Sequence, residues 1–240
     1  MKKIAKNILL TLLFLTLSVL TAVLIYIHFF QSDDRDLSGE WTTEFDMTKQ
    51  AAVTAFVWLQ DMEAVSISLE DVEDYMQELT IAVNLTMEQT GQDEGIFRCN
   101  IDPESYDVCT QTAYEAYAAA FKALVAERLD MAGYAGSTDE EAIEALVTET
   151  FGMSTVSYLE SCAPALLPSL EELQVLYDGS GTYKTEEGIL TRYFDEKGPE
   201  AAKAEYYIRK DSYLILSEEA GTDISDSGQY PMIYTLKPSQ

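Results

Sequence analysis

An uncharged, apolar run occupies residues 8–30 of the chain. As an α-helix rising about 1.5 Å per residue, it would be about 34 Å long, enough to cross the roughly 30 Å hydrocarbon core of a bilayer. The alternative, a cleaved signal peptide, requires a shorter apolar core followed by small residues, whereas bulky His28, Phe29 and Phe30 end this run. The pattern therefore predicts an uncleaved transmembrane anchor that contacts the lipid bilayer through residues 8–30.

From residue 39 onward, the pattern changes to short amphipathic elements. A period of two, typical of a half-buried strand, is carried by alternating residues at the start of this region: Trp41, Thr43, Phe45 and Met47. The same alternation over residues 80–88 and 96–101, separated by a polar turn, predicts a β-hairpin. Five further short runs, at 181–185, 189–194, 204–209, 212–217 and 230–236, predict an antiparallel meander over residues 181–240.

Apolar residues at three- and four-residue steps predict helices in two places. Two short helices, over 48–59 and 68–79, lie between the first and second predicted strands. A helical insertion over residues 103–177 separates the third strand from the fourth, and it begins with Asp102 as N-cap and Pro103 at the first helical position.

About eight strands in total are enough to close into a small barrel around a packed core or one ligand. The predicted fold class is therefore α+β: an amino-terminal transmembrane helix, then an antiparallel β-barrel or a strongly curved sheet with an inserted helical segment.

The sequence Gly39-x-Trp41 at the start of the first strand resembles the start motif of lipocalins and their calycin relatives. Two helices between the first two strands are similar to the helical lid of fatty-acid-binding proteins. The resemblance implies a lipocalin-like, up-and-down barrel around a small apolar ligand, although neither family has a counterpart of the insertion over 103–177. The layout is also similar to that of membrane-anchored, lipocalin-like proteins of Gram-positive bacteria with unassigned function.

Charge sets the expected location and excludes one class of partner. Three lysines precede the apolar run and aspartates follow it, which predicts a cytoplasmic tail over residues 1–7, a tether over 31–38 and an extracellular domain over 39–240. The whole chain has 42 acidic and 15 basic residues, a formal net charge of −27. Because such a surface repels phosphates, we expect no nucleic-acid partner.

Several kinds of chemistry are also excluded or disfavoured. The one histidine, His28, lies in the predicted anchor, so the domain beyond it has no histidine triad or histidine-bound zinc. A calcium-like loop beginning at Asp178 has Tyr183 where glycine is required and Ile189 where a bidentate glutamate is required. We therefore expect no metal, no cofactor and no identifiable catalytic residue. An acid-based enzyme stays as a third alternative, although no carboxylate pair can be singled out as catalytic among the 42 acids.

Three cysteines, Cys99, Cys109 and Cys162, fall on apolar faces of predicted elements, which is typical of buried thiols. Because their number is odd and their spacings do not resemble a metal site, we favour the absence of an obligatory disulfide. If a bridge exists, Cys109 with Cys162 is the expected pair.

Arginines in the predicted strands are the candidate binding residues. Arg98, Arg192 and Arg209 each have apolar residues two positions away, so an inward-facing guanidinium would bind a carboxylate headgroup inside the barrel. An outward arginine that balances the acidic surface is the alternative. Aromatic residues on the strands complete the predicted ligand-binding set: Trp41, Arg98, Arg192, Tyr193, Tyr206 and Arg209.

The favoured function is binding of a small amphipathic or apolar ligand. The alternative is a non-catalytic interaction module that docks a membrane or cell-wall protein through the helical insertion. An apolar cavity would favour ligand binding, and an exposed apolar helical patch beside a filled barrel would favour the interaction module. Converging carboxylates of raised pKa would favour an enzyme.

Overall fold

The computed structural model describes residues 36–61, 67–198, 202–218 and 229–238. The predicted cytoplasmic tail, the predicted anchor over residues 8–30 and most of the tether lie outside these ranges. Within them, no helix combines the length and the apolar character that crossing a bilayer requires.

Eight antiparallel strands form a closed barrel in which each strand pairs with the next along the chain. The strands are β1 Gly39–Asp46, β2 Thr80–Gln89, β3 Glu94–Ile101, β4 Gly179–Glu186, β5 Ile189–Phe194, β6 Lys203–Lys210, β7 Tyr213–Glu218 and β8 Met232–Leu236. Pairing of β8 with β1, in the register Trp41↔Leu236 and Thr42↔Thr235, closes the ring. The sequence left a barrel and a curved sheet as alternatives, and this pairing decides for the barrel.

All described helices enter the fold at one end of the barrel. Helices α1 Thr48–Asp61 and α2 Leu69–Glu73 connect β1 to β2, and α3 Pro103–Met131, α4 Glu140–Phe151, α5 Thr155–Cys162 and α6 Leu170–Tyr177 connect β3 to β4. Because successive strands run in opposite directions, both connections leave from the same end, which we call the helical end. The opposite, hairpin end carries the turns β2–β3, β4–β5 and β6–β7.

Side-chain caps determine where most of these helices begin. Ser68 and Ser169 each form the reciprocal capping box with the acid three residues later. Asp139 caps α4 through the backbone N–H of Ala142. The predicted second helix was too long: α2 ends at Glu73, and tight turns rather than helix lead from there to β2.

The core is continuous from the barrel to the helices. Inside the barrel, alternate residues of every strand are buried or half-buried, as the period of two predicted. On α3, one stripe of buried side chains packs towards the other elements: Cys109, Ala113, Tyr117, Ala120, Phe121 and Leu124. The barrel interior is therefore largely filled by its own side chains, and the space that remains lies near the helical end.

Candidate ligand-binding site

Near the hairpin end of the barrel, a buried tryptophan packs against an arginine. Trp41 is fully buried, and its Nε1 donates a hydrogen bond of 2.9 Å to the backbone oxygen of Leu37. The guanidinium carbon of Arg209 lies 5.0 Å from the centre of the Trp41 ring, a cation–π distance. Both residues face the interior, and their contact lies near the hairpin end of the barrel.

A cavity of about 280 Å³ opens at the helical end. Its apolar wall includes Phe45, Val83 and Met232, and α6 contributes Leu176 and Tyr177.

Its polar wall is cationic, with Arg192, Lys197 and Lys203. None of the described residues that line the cavity is acidic. Since the chain has 42 acidic and 15 basic residues, a lining of this sign differs sharply from the rest of the molecule.

Beside the cavity, Arg192 and Glu205 form a bidentate ion pair inside the barrel. Nε and Nη2 of Arg192 donate to the two carboxylate oxygens of Glu205, each over 2.9 Å, and both side chains are buried. The hydroxyl of Tyr230 donates a third hydrogen bond, of 2.5 Å, to the same carboxylate. Burial lowers the pKa of Arg192, but the Glu205 carboxylate outweighs it and the pKa is raised overall. The pair is therefore a fixed, internally neutral unit of the barrel wall.

Lys203 is the cation of the cavity that has the weakest described partner. Its Nζ lies 3.7 Å from Oε1 of Glu205, and this oxygen already accepts hydrogen bonds from Arg192 and Tyr230. The same Nζ lies 4.9 Å from the centre of the Tyr230 ring. Burial lowers the pKa of Lys203, although the neighbouring Glu205 acts in the opposite direction. The ammonium group is thus partly desolvated and only loosely compensated, which favours an added anion.

Lys197 has a different role. Its Nζ donates to the backbone oxygen of Val175 over 2.9 Å and also approaches that of Leu176, so it satisfies carbonyl groups in the last turn of α6. It also lies 5.1 Å from the Phe194 ring centre. This contact ties the segment after β5 to the helix that borders the cavity.

Of the six predicted site residues, Arg192 alone lines the cavity. Arg98, Tyr193 and Tyr206 project outward from β3, β5 and β6 and are exposed to solvent. For Arg98 the structure therefore shows the outward alternative.

Sequence reasoning missed three charged residues of this site: Lys197, Lys203 and Glu205. One signal was available, because Glu205 occupies the same strand face as Tyr207 and Arg209. An acid in phase with inward positions of a barrel strand indicates a buried partner of opposite charge.

The cysteines are free thiols in the structure. Cys99 lines the cavity from β3, and burial raises its pKa. Cys109 is buried on α3, and burial raises its pKa to about 11. The expectation of a buried thiol was wrong for Cys162, which is the last residue of α5 and is exposed.

Among the acids, burial raises the pKa of Asp178. Its Oδ1 accepts a hydrogen bond of 2.7 Å from the backbone N–H of Ile101, which joins the end of β3 to the start of β4. Its observed contact is therefore structural. In the described part of the chain, no cluster of three or more histidine, cysteine, aspartate or glutamate residues is placed to hold a metal ion.

Comparisons of the chain with protein-family models, curated proteins and solved structures gave no match.

Proposed function

We propose that this protein binds a small, anionic amphipathic molecule in the cavity at the helical end of its barrel. One observation carries the proposal: cationic side chains and an apolar wall share a small cavity without an acidic lining residue, in a chain of net charge −27. An anion with an apolar body fits both walls, because its charge replaces lost water around the cations while its body contacts Phe45, Val83 and Met232.

Lys203 is the residue that we assign to the ligand's anionic group. The sequence pointed to a guanidinium for this role, but the carboxylate of Glu205 already holds Arg192 by two hydrogen bonds. The ammonium of Lys203 has a single ion pair of 3.7 Å among the described residues, with the same carboxylate. Arg192 and Glu205 then act as positioning residues that fix the wall beside Lys203.

The size of the cavity limits the ligand. About 280 Å³ lies at the lower end of the range for small-molecule sites. The rest of the barrel is occupied by buried side chains such as Trp41, Leu85 and Tyr183. The ligand is therefore a short-chain or single-ring acid rather than a long fatty acid.

We further propose that residues 8–30 anchor the domain to the cell membrane with the barrel outside the cell. The described chain enters the barrel at the hairpin end, where β1 begins at Gly39. The cavity lies at the other end, so it opens to the aqueous phase rather than into the bilayer. This arrangement favours a water-borne ligand.

Binding of hexanoate to the purified chain in lipid nanodiscs tests the ligand proposal, with hexanamide as the neutral analogue and empty nanodiscs as the blank. We expect hexanoate to bind more tightly than hexanamide. Lys203→Met keeps most of the apolar stem and removes the charge. It should weaken hexanoate binding by about tenfold or more, since a charge-assisted hydrogen bond contributes about 1.5–3 kcal/mol.

Lys184→Met is the matched control, because Lys184 is exposed on the outer face of β4 and its replacement changes the net charge equally. It should leave the affinity for hexanoate unchanged. Equal binding of the acid and the amide, or equal loss in the two variants, would overturn the assignment of Lys203.

A second candidate function, docking of a membrane or cell-wall protein, has its own supporting observation. Val175 and Leu176 on α6 are 67% and 66% exposed and border a groove between α1 and α6. A partner that buries this groove would be released by Val175→Asp. Val175 does not line the cavity, so hexanoate binding should survive this change.

A further inference from the structure

The outer wall of the barrel carries an apolar surface, which we call the isoleucine face. It consists of outward-facing side chains on β6, β7 and β8: Tyr206, Ile208, Tyr213, Ile215 and Ile233. Ile208 is 61% exposed and Ile233 is 50% exposed, so large aliphatic side chains are left in contact with solvent.

Strand register makes the face continuous. Ile208 on β6 pairs with Ile215 on β7, and Ile215 pairs with Ile233 on β8. Directly opposed side chains on one face of an antiparallel pair lie about 5 Å apart. The three isoleucines therefore form one row across three strands, with Tyr206 and Tyr213 beside it.

The isoleucine face is also free of acids. The other outward positions of these strands that are described are Ala204, Lys210, Ser217 and Thr235, and the one charge among them is positive. On the other half of the barrel, β1 to β4, exposed acids project outward: Glu40, Glu44, Asp46, Glu88, Glu94 and Glu186. Among the described strand positions, the outward acids therefore lie on β1 to β4, and Glu44 of β1 borders the isoleucine face because it lines one surface groove with Ile233.

We infer that the isoleucine face rests on the surface of the lipid bilayer that holds the chain, an inference that depends on the anchoring proposed above. Five residues, 31–35, separate the predicted anchor from Asp36, and at about 3.4 Å per residue they reach at most about 17 Å. The chain enters beside β8, since the backbone N–H of Lys237 donates to the oxygen of Glu40. The tether therefore holds this wall of the barrel within reach of the membrane.

The chemistry of the face suits a lipid surface. Tyrosine favours the membrane–water interface, and isoleucine side chains gain free energy when they leave water. Turning this wall towards the bilayer also directs the acids of β2 to β4 into solvent. A second copy of the chain is the less favourable occupant, because two molecules of net charge −27 repel each other.

Photo-crosslinking of the full chain in phosphatidylcholine vesicles tests this inference. A benzophenone amino acid replaces Ile208 in one protein and Ile96 in the other. Ile96 is the matched control, because it is an exposed isoleucine on β3, across the ring from β7. We expect mass spectrometry to detect lipid adducts at position 208 and none at position 96.

Alkaline carbonate extraction of the same vesicles separates the two proposals. Release of the chain would overturn the anchor and with it the docking on lipid. If the chain is retained, the docking alone would be overturned by equal lipid adducts at both positions or by the absence of lipid adducts at 208. Adducts at 208 to a second copy, to another protein or to residues 219–228 would overturn it as well.

Discussion

At the scale of single residues, the interior of the barrel is organised around the carboxylate of Glu205. It accepts two hydrogen bonds from Arg192 and one from Tyr230, and the Lys203 ammonium lies nearby. Desolvating both members of an ion pair costs free energy that their attraction only partly returns. The pair is therefore better explained by the fixed shape that it gives to the cavity wall than by a gain in stability.

Replacing one partner of this pair should be much more costly than replacing both. Glu205→Gln leaves the buried Arg192 without its counter-charge, and we expect the free energy of unfolding to fall by about 3–5 kcal/mol. The double variant Arg192→Met with Glu205→Leu should recover most of that loss. Urea denaturation followed by near-ultraviolet circular dichroism measures both.

Glu88→Gln, at an exposed position of β2, provides the control and should change the free energy of unfolding by no more than about 0.5 kcal/mol. If Glu205→Gln behaved like this control, the described ion pair would not exist in solution.

The pH dependence of ligand binding should follow Lys203. Its ammonium form attracts the anion, so affinity is full below the pKa of Lys203 and is lost as the pH rises through it. Burial lowers this pKa from the ordinary 10.5, and the loss should therefore begin at a lower pH than for an exposed lysine. Titrations of hexanoate into the chain at increasing alkaline pH measure the effect.

Lys203→Arg is the control, because arginine keeps its charge across this range. Its affinity for hexanoate should be nearly constant with pH. Lys203 would not be the titrating group if the affinity of the unsubstituted chain for hexanoate did not change below pH 10.5. The same conclusion would follow if Lys203→Arg lost affinity over the same pH range as the unsubstituted chain.

At the scale of elements, local patterns were sufficient to locate the strands and most helices. Trp41, Phe45 and their alternating neighbours predicted β1, and the Asp102-Pro103 pair marked the start of α3. Those signals are local because pleat and capping involve residues within a few positions of one another. Closure of β8 on β1 involves Leu236 and Trp41, which are distant in sequence, so the pattern alone left the barrel and the curved sheet open.

The site was less predictable than the strands, for the same reason. Strand periodicity left both an inward and an outward position open for Arg192, and it could not show that Glu205, on the next strand, would occupy its guanidinium. For Arg98, an apolar neighbour was misleading, because Ile96 is itself exposed on the outer face. A guanidinium near apolar residues therefore becomes informative only when the partner strand is known.

At the scale of the whole molecule, charge and apolar surface are separated by direction. The helical end holds a small cavity with a cationic wall, the wall of β6 to β8 holds the isoleucine face, and the wall of β1 to β4 holds acids. A uniform acidic coat would only keep the domain soluble. With the anchor proposed for residues 8–30, this distribution would turn one side of the barrel towards the membrane and leave the cavity open to water.

The net charge of −27 also predicts how the fold responds to salt. Mutual repulsion among the acids destabilises the compact state, and raising KCl from about 0.1 M to about 1 M shortens the screening length from about 10 Å to about 3 Å. We therefore expect Tm to rise, by about 2–4 °C for each kcal/mol of repulsion removed.

A variant with four exposed acids of β1 to β3 replaced by glutamine, Glu40, Glu44, Glu88 and Glu94, should begin with a higher Tm and gain less from KCl. Thermal unfolding of both proteins in nanodiscs measures the difference. A Tm that is insensitive to KCl, or an equal gain in the two proteins, would mean that the acids of this wall do not repel one another appreciably.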